Sequence, residues 1–348
     1  MKKVLYISNI EVPYRNEFFN QLSKKCDLTV LYERKKSSNR DEKWSKSIKS
    51  NYKIEYLNGI NFKKEYSFDL GILKYIFNNK YDKIIIGCYN SLSQMISIIF
   101  MKIFKKRYIL NLDGECFIEE NSLKTKIKTF FIKGAYKYLV AGEKSAKSLT
   151  KIVDKTKIKV YYFSSLTNKE LEENSKHINK NINNKILVVG QYFDYKGIDI
   201  ALEIAKKDSK ILYKFIGMGN RSILLNKKIK EMNLKNVKVI PFLEKEKLYK
   251  EFQNCKLLIL PSKRECWGLV INEAASFGCP IISTHGSGAA VEFLEKKYLA
   301  KPNNANDLYN KILNLKITNR LKQELIKKSK KYSIENSVKY TLEIINKD

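Results

Sequence analysis

The stretch from Leu257 to Ser283, LLILPSKRECWGLVINEAASFGCPIIS, constrains the fold more than any other part of the chain. It reads as a buried strand, a loop, a short helix and a second strand, which is one α/β unit. Leu257 to Leu260 is an apolar run stopped by Pro261 and Ser262. The helix is predicted from near Gly268 to Gly278. Gly is the usual residue just past a helix end, and Pro280 forbids continuation. A strand resumes from Pro280 to Ser283.

Two carboxylates sit eight positions apart, Glu265 in the loop and Glu273 in the helix, with Gly268 between them. This arrangement suits a nucleotide diphosphate. A helix N-terminus offers free N–H groups and a positive dipole end to an anion. Gly268 lets the backbone come close to a ligand. A carboxylate beside such a site can accept hydrogen bonds from a sugar diol. The bland alternative is that two Glu at this spacing arise by chance in a charged chain, with Glu273 favouring the helix dipole.

The order Pro261, Ser262, Glu265, Gly268, Leu269, Glu273, Ala274, Gly278, Pro280 is more specific. It resembles the signature of retaining glycosyltransferases of family 4, enzymes of the GT-B fold. The match continues to Gly288 and Glu292. The resemblance implies that Glu273 binds the ribose of a donor nucleotide and that Glu265 holds donor-sugar hydroxyls. It also turns the amides around Gly268 and Leu269 toward the diphosphate.

A second segment, Gly190-Gln191-Tyr192-Phe193-Asp194-Tyr195-Lys196-Gly197, follows a strand predicted over 185–189. It resembles the family's G-R-x-x-x-x-K-G. By resemblance the Lys196 ammonium binds the donor diphosphate. The family's Arg is Gln191 here, which can donate a hydrogen bond but cannot offset charge. Gly217-Met218-Gly219 resembles a further family glycine pair, and by resemblance the base packs near Phe242 and Leu243.

The first half reads as a second α/β region. Strands are predicted over 4–8, 28–32, 53–57, 83–87, 107–112, 138–141 and 158–163. The loop after the first strand, NIEVPYRN, lacks the glycines that many family members carry there. Arg15 in it is a candidate for an acceptor phosphate, or a surface Arg at a helix start. Glu33 to Asn51 is charged and polar and reads as an exposed loop. Asp113, with Gly114 and Glu115, stands at the carboxyl end of a strand, where open α/β sheets bind ligands. It is a candidate for a group near the acceptor hydroxyl, or a turn-forming Asp before Gly. Leu92 to Lys105 is a helix apolar nearly all round, which predicts burial against the sheet. Residues 121–137 place Leu123, Ile127, Phe130, Phe131 and Ala135 at helical spacing among lysines. That basic amphipathic pattern suits an anionic membrane surface, or a helix packed on the sheet.

Composition sets outer bounds. Net charge is +31, and of 67 Lys and Arg only 7 are Arg. Such a field attracts anionic lipid, nucleotide diphosphates or nucleic acid, and a Lys-rich composition also follows from an AT-rich genome. No zinc-finger spacing, RRM-like aromatic motif or recognition helix supports nucleic acid. The six Cys form no C-x-x-C pair and read as reduced core or near-core thiols. Two His, His177 and His285, and no D-x-D pair give little material for a metal site. Met1-Lys-Lys leads into a strand pattern and not a signal peptide, and the most apolar window, 92–104, is too short to span a bilayer.

The expected architecture is α/β GT-B: two Rossmann-like domains facing across a cleft. The first is expected over 1–165 with the final helix, about 333–348, packed back on it. A linker follows over 166–184, and a nucleotide-sugar domain over 185–332. The resemblance implies retaining transfer of a hexosyl or N-acetylhexosaminyl group from a UDP-sugar to a hydroxyl of a glycan or polyprenyl-linked glycan, in bacterial surface polysaccharide synthesis. No metal or cofactor is expected. The protein is expected in the cytoplasm or at the inner face of the plasma membrane. The alternatives are an epimerase or phosphorylase of the same fold, or a basic nucleic-acid-binding protein.

Overall fold

The computed structural model describes residues 1–35, 49–62, 66–114, 123–180 and 183–347. These form two compact units, Met1–Phe163 with Ile334–Asp348, and Ser164–Ser333.

The first unit begins β1 (Lys3–Ile10), α1 (Pro13–Ser23), β2 (Asp27–Arg34) and β3 (Lys53–Tyr56). A short antiparallel hairpin, β4 (Ile60–Phe62) and β5 (Tyr66–Phe68), precedes α2 (Ile72–Ile76). Then come β6 (Lys83–Ile86), α3 (Leu92–Ile103), β7 (Ile109–Leu112), α4 (Leu123–Ile132), β8 (Lys137–Ala141), α5 (Glu143–Leu149) and β9 (Ile158–Tyr161). Among the described residues the main sheet runs β3-β2-β1-β6-β7-β8-β9, and its pairs are parallel. Helices cover parallel strands on both faces, so such strands are apolar without alternation. VLYI in β1 and ILNL in β7 are buried throughout.

The second unit contains α6 (Asn168–Lys176), β10 (Asn183–Val189), α7 (Ile198–Lys207), β11 (Leu212–Ile216), α8 (Ser222–Glu231) and β12 (Val237–Ile240). It continues α9 (Lys245–Asn254), β13 (Cys255–Leu260), α10 (Leu269–Ser276), β14 (Ile281–Thr284), α11 (Gly288–Phe293), β15 (Leu299–Ala300), α12 (Ala305–Leu313) and α13 (Asn319–Ser329). Its sheet order is β12-β11-β10-β13-β14-β15, again parallel. Each unit is a doubly wound sheet. The order turns at β1/β6 in the first and at β10/β13 in the second, where such sheets open a crevice at the carboxyl ends of the strands.

The chain closes with α14 (Ile334–Asn346), which packs on α1 and β9 of the first unit. The Lys2 ammonium donates to the Ile345 carbonyl at 3.1 Å, and the Tyr162 and Tyr340 rings meet edge to face at 5.4 Å.

Several expectations change. The stretch read as a linker contains α6, which starts with a capping box: the Thr167 side chain accepts from the Glu170 amide, and Glu170 reaches back to the Thr167 amide. Its polar surface hid it from apolar periodicity, since only Leu171 and Asn174 are buried. Glu33 is not in an exposed loop. It extends β2 and is 3% exposed. Cys26, Cys255 and Cys279 are buried, whereas Cys266 is exposed. Helix α3 buries Ser93, Gln94, Ser97, Ile98 and Met101 and turns Leu92 and Ile103 outward. Glu115, Cys116, Asn121 and Ser122, and most of the loop read between Glu33 and Asn51, lie outside the described residues.

Candidate functional site

In the second unit the carboxyl ends of β10, β11 and β13 carry the loops that the sequence singles out. After β10 the chain makes one 3₁₀ turn, Asp194–Lys196, closed by Gly197 in the left-handed region at φ +65°. A Cβ at Gly197 would stand 2.1 Å from the Pro261 carbonyl oxygen, so only glycine allows this approach. The Tyr195 carbonyl accepts from the amides of Lys263 and Arg264 at 2.8 and 3.1 Å. The loop after β13 is thereby stapled to the loop after β10, and the two motifs form one surface.

The staple sets the central contact. The Lys196 ammonium and the Glu265 carboxylate form an ion pair, with side chains 19% and 13% exposed. Glu265 is fixed through its backbone as well: its amide donates to the Gly286 carbonyl at 2.8 Å, and it bridges Ser287. Gly268 then caps α10 at φ +98°, with space for a Cβ limited by Ser287 Oγ at 3.0 Å and Leu260 Cδ2 at 3.1 Å. The first turn of α10 carries no acidic residue. An uncapped helix start beside an ammonium is a place for an anion.

Glu273 lies one turn inside α10 and accepts from Ser165 Oγ at 2.8 Å. Burial pushes its carboxyl above the usual range, while the Ser165 hydrogen bond and the Lys245 charge oppose that rise. Lys263, on the loop after β13, is held by Asp194 at 2.9 Å and Asp199 at 3.2 Å. Gly190 and Gly217 run side by side, with a Gly217 Cβ 3.7 Å from the Gly190 carbonyl oxygen and open space at Gly190. Gln191, Phe242 and Leu243 are half-buried on the adjoining loops. Sequence reasoning missed Ser165, which sits in the polar stretch before α6. It also missed Arg221, whose guanidinium covers the Phe193 ring at 4.4 Å and donates to the Tyr192 carbonyl at 3.4 Å. Only the fold brings either one near the motifs.

The first unit gathers a second cluster. Asp113, just past β7, takes the Arg15 guanidinium on Oδ2, and on Oδ1 it accepts from the Tyr161 hydroxyl and, at 2.6 Å, from Asn111 Nδ2. Tyr6 donates to Asn111 Oδ1 at 2.8 Å. Burial lifts the Tyr161 phenol well above its usual range, so it remains a donor. Arg15 is not a surface residue: it is 5% exposed and its guanidinium lies 4.7 Å from the Phe163 ring centroid. It is paired with Asp113, whose side chain is 35% exposed. Tyr161 and Asn111 carry no local motif, which is why the sequence did not single them out.

Comparison with known proteins agrees with this geometry. Residues 168–332 match the model of the family described as glycosyl transferases group 1. An uncharacterized glycosyltransferase of Methanocaldococcus jannaschii is 27% identical over 191 residues, 50% of this chain and 54% of that protein. The O-antigen chain mannosyltransferase C of Escherichia coli is 31% identical over 110 residues, 31% of this chain and 29% of that protein. The matched stretches thus span about half, or less, of the length of these two relatives. The crystal structure of Anabaena HepE in complex with UDP and glucose superposes over 100% of both chains with a TM-score of 0.72 at 15% identity, a likeness of fold. The architecture is GT-B.

Proposed function

Residues 168–332 are a glycosyl transferases group 1 domain, and on that premise we propose that the protein moves a sugar, with retention, from a UDP-sugar to a hydroxyl of a glycan or polyprenyl-linked glycan. The observation that carries this reading is the Lys196–Glu265 pair beside the uncapped start of α10. In this reading the diphosphate takes the Lys196 ammonium and the amides at Gly268 and Leu269. These groups meet the charge that develops as the sugar leaves, and they are already oriented before it does. Glu265, freed in part from Lys196, accepts from donor-sugar hydroxyls. Glu273 accepts from the ribose, and the base lies against Phe242 and Leu243. Gln191 and the bare backbone at Gly190 and Gly217 border the diphosphate.

Asp113 receives the acceptor hydroxyl. Arg15 serves by holding Asp113 and not by binding acceptor phosphate directly. The bond from the anomeric carbon to the diphosphate oxygen breaks, the bond to the acceptor oxygen forms, and the acceptor proton passes to the departing phosphate oxygen. We assign no metal to this step. A hexosyl or N-acetylhexosaminyl group fits the reading equally. Surface polysaccharide synthesis at the inner face of the plasma membrane is the assigned setting. The likeness to an O-antigen mannosyltransferase supports that setting.

The test is thermal unfolding with UDP, GDP, ADP and CMP, followed by transfer assays with sugars of the nucleotide that binds. Ligand at about 100 times its dissociation constant adds roughly 2.7 kcal/mol, which at this domain size is a shift of several degrees. A shift with UDP, absent in Lys196→Ala and Glu273→Ala, is expected. No shift with any nucleotide in a cooperatively folded sample overturns the donor site. An epimerised product without acceptor, or consumption of phosphate, overturns the transfer.

A further inference from the structure

Helix α3 is apolar on both sides. Its inward side carries Ile98 and Met101 beside Ser93, Gln94 and Ser97, each fully buried. Ser97 Oγ donates to the Ser93 carbonyl at 2.8 Å, and Gln94 Nε2 donates to Asn9 Oδ1 at 2.6 Å. Its outer side is apolar as well. Leu92, Ile96, Phe100 and Ile103 follow one another at three- and four-residue steps, and Ile103 is 65% exposed. A helix with only water outside carries polar residues on that side.

The neighbouring helix also turns apolar side chains outward. In α4, Phe131 and Ile132 point into the core, while Leu123, Ile127 and Phe130, spaced four and three apart, are 73%, 49% and 51% exposed. The stripe read from the sequence as one face therefore divides into two. The two helices are in contact. Lys102 of α3 crosses to α4, where its ammonium lies 3.9 Å from the Phe130 ring centroid and donates to the Phe130 carbonyl. Phe104, 61% exposed, meets the Phe77 ring edge to face at 5.1 Å, which extends the apolar surface past the end of α2.

The rim of this surface is cationic. Lys105, Lys124, Lys126 and Lys133 are exposed on the same two segments, and Lys106 lies 5.6 Å from the Phe77 ring centroid. No acidic residue lies in α3 or α4. Exposed contiguous apolar side chains mark a docking face. Here the surrounding charge selects the occupant: an apolar centre with a lysine rim complements a bilayer with anionic headgroups, where rings enter the acyl boundary and ammonium groups stay at the phosphates. No helix among the described residues is long and apolar enough to cross a membrane, so this contact is one that lies on the surface.

We propose that the outer face of α3 and α4, with Phe77 and Phe104, docks the first unit on an anionic membrane. This contact is independent of the transfer reaction, because no residue in it belongs to the donor or acceptor clusters.

The experiment is flotation of the full chain with vesicles of phosphatidylcholine alone and of phosphatidylcholine mixed with phosphatidylglycerol. Three forms are compared: wild type, an Ile127→Ser/Phe130→Ser variant, and a Lys124→Glu/Lys126→Glu variant. Wild type is expected to float with the anionic vesicles only, and less so as salt rises. The apolar variant loses roughly tenfold or more in partition. Each charge reversal costs about fivefold or more. Because Lys124 and Lys126 are exposed and Ile127 and Phe130 are half-exposed, the variants melt cooperatively within about 5 °C of wild type, and a UDP-dependent melting shift, if wild type has one, stays unchanged in them. Flotation with neutral vesicles alike, no flotation, or variants that float like wild type overturn the proposal. A concentration-dependent dimer that the apolar variant abolishes, without flotation, also overturns it and reassigns the face to a second copy of the chain. Loss of the UDP shift in every form together with intact flotation removes the donor reading and leaves the docking face standing.

Discussion

Lys196 and Glu265, 69 residues apart in the chain, are joined as an ion pair by two loops stapled through the Tyr195 carbonyl. Each side chain is more than four-fifths covered. Breaking such a pair from one side strands a charge that has lost its water. Lys196→Met and Glu265→Gln should each lower unfolding free energy by about 1–3 kcal/mol. The double variant should lose less than the two single losses together, by about 1 kcal/mol or more. Urea unfolding of the four forms measures this. Strict additivity means that the two groups do not interact in solution.

Gly197 sets how closely the two motifs approach. Its φ of +65° and the Pro261 carbonyl 2.1 Å from an added Cβ act together. Gly197→Ala should cost about 2–4 kcal/mol, from left-handed strain and displacement of the loop. It should also weaken UDP binding, because Lys196 precedes it directly. Gly219→Ala, also at positive φ but with nothing within 4 Å, should cost less. Equal losses at the two sites would show that backbone strain alone, and not the approach to Pro261, requires glycine.

Among the described residues, Tyr161 is one of three donors on Asp113. Tyr161→Phe removes the hydrogen bond donated to Asp113 and the one accepted from Asn111 at 3.2 Å, and should cost about 1–3 kcal/mol of stability. In transfer assays it should act on the acceptor: the acceptor KM or kcat worsens roughly tenfold or more, while the UDP-induced melting shift is retained. A normal acceptor dependence in Tyr161→Phe would remove Asp113 from the acceptor site.

Glu33 makes stability depend on pH. Burial lifts its carboxyl to about 7, against hydrogen bonds from Ser91 and Gln94 that pull it down. The Ser91 hydroxyl donates to it at 2.6 Å. Between the ordinary value of 4.5 and about 7 the folded chain keeps a proton that the unfolded chain has released. Stability from this group is therefore full below the lower value and falls as pH rises through that window. The total loss is of the order of 3 kcal/mol. Glu33→Gln, which stays neutral, should lose less between pH 5 and pH 8, by about 1–3 kcal/mol. Melting curves of both forms at the two pH values decide it. An identical slope for the two forms places the titrating group elsewhere.

The α/β alternation, the strand and helix around Leu257 to Ser283, and the candidate residues Lys196, Glu265 and Glu273 were legible in the order of residues alone. These are local signals. Apolar runs, Gly and Pro act within a few residues of themselves, and a motif carries its own spacing. What the tertiary structure decided lies between distant segments. Ser165 meets Glu273 across 108 positions and Arg15 meets Asp113 across 98. The burial of Arg15, the hidden strand end at Glu33 and the helix at 168–176 follow from neighbours that the chain supplies elsewhere. Helix α3 gives the physical reason in one element. Its composition tells that it is apolar, but only the sheet beneath it decides which side is covered. The covered side carries Ile98 and Met101 together with Ser93, Gln94 and Ser97, and the polar members can be buried because Asn9 of β1 accepts from Gln94 and the Ser93 carbonyl of the helix itself accepts from Ser97.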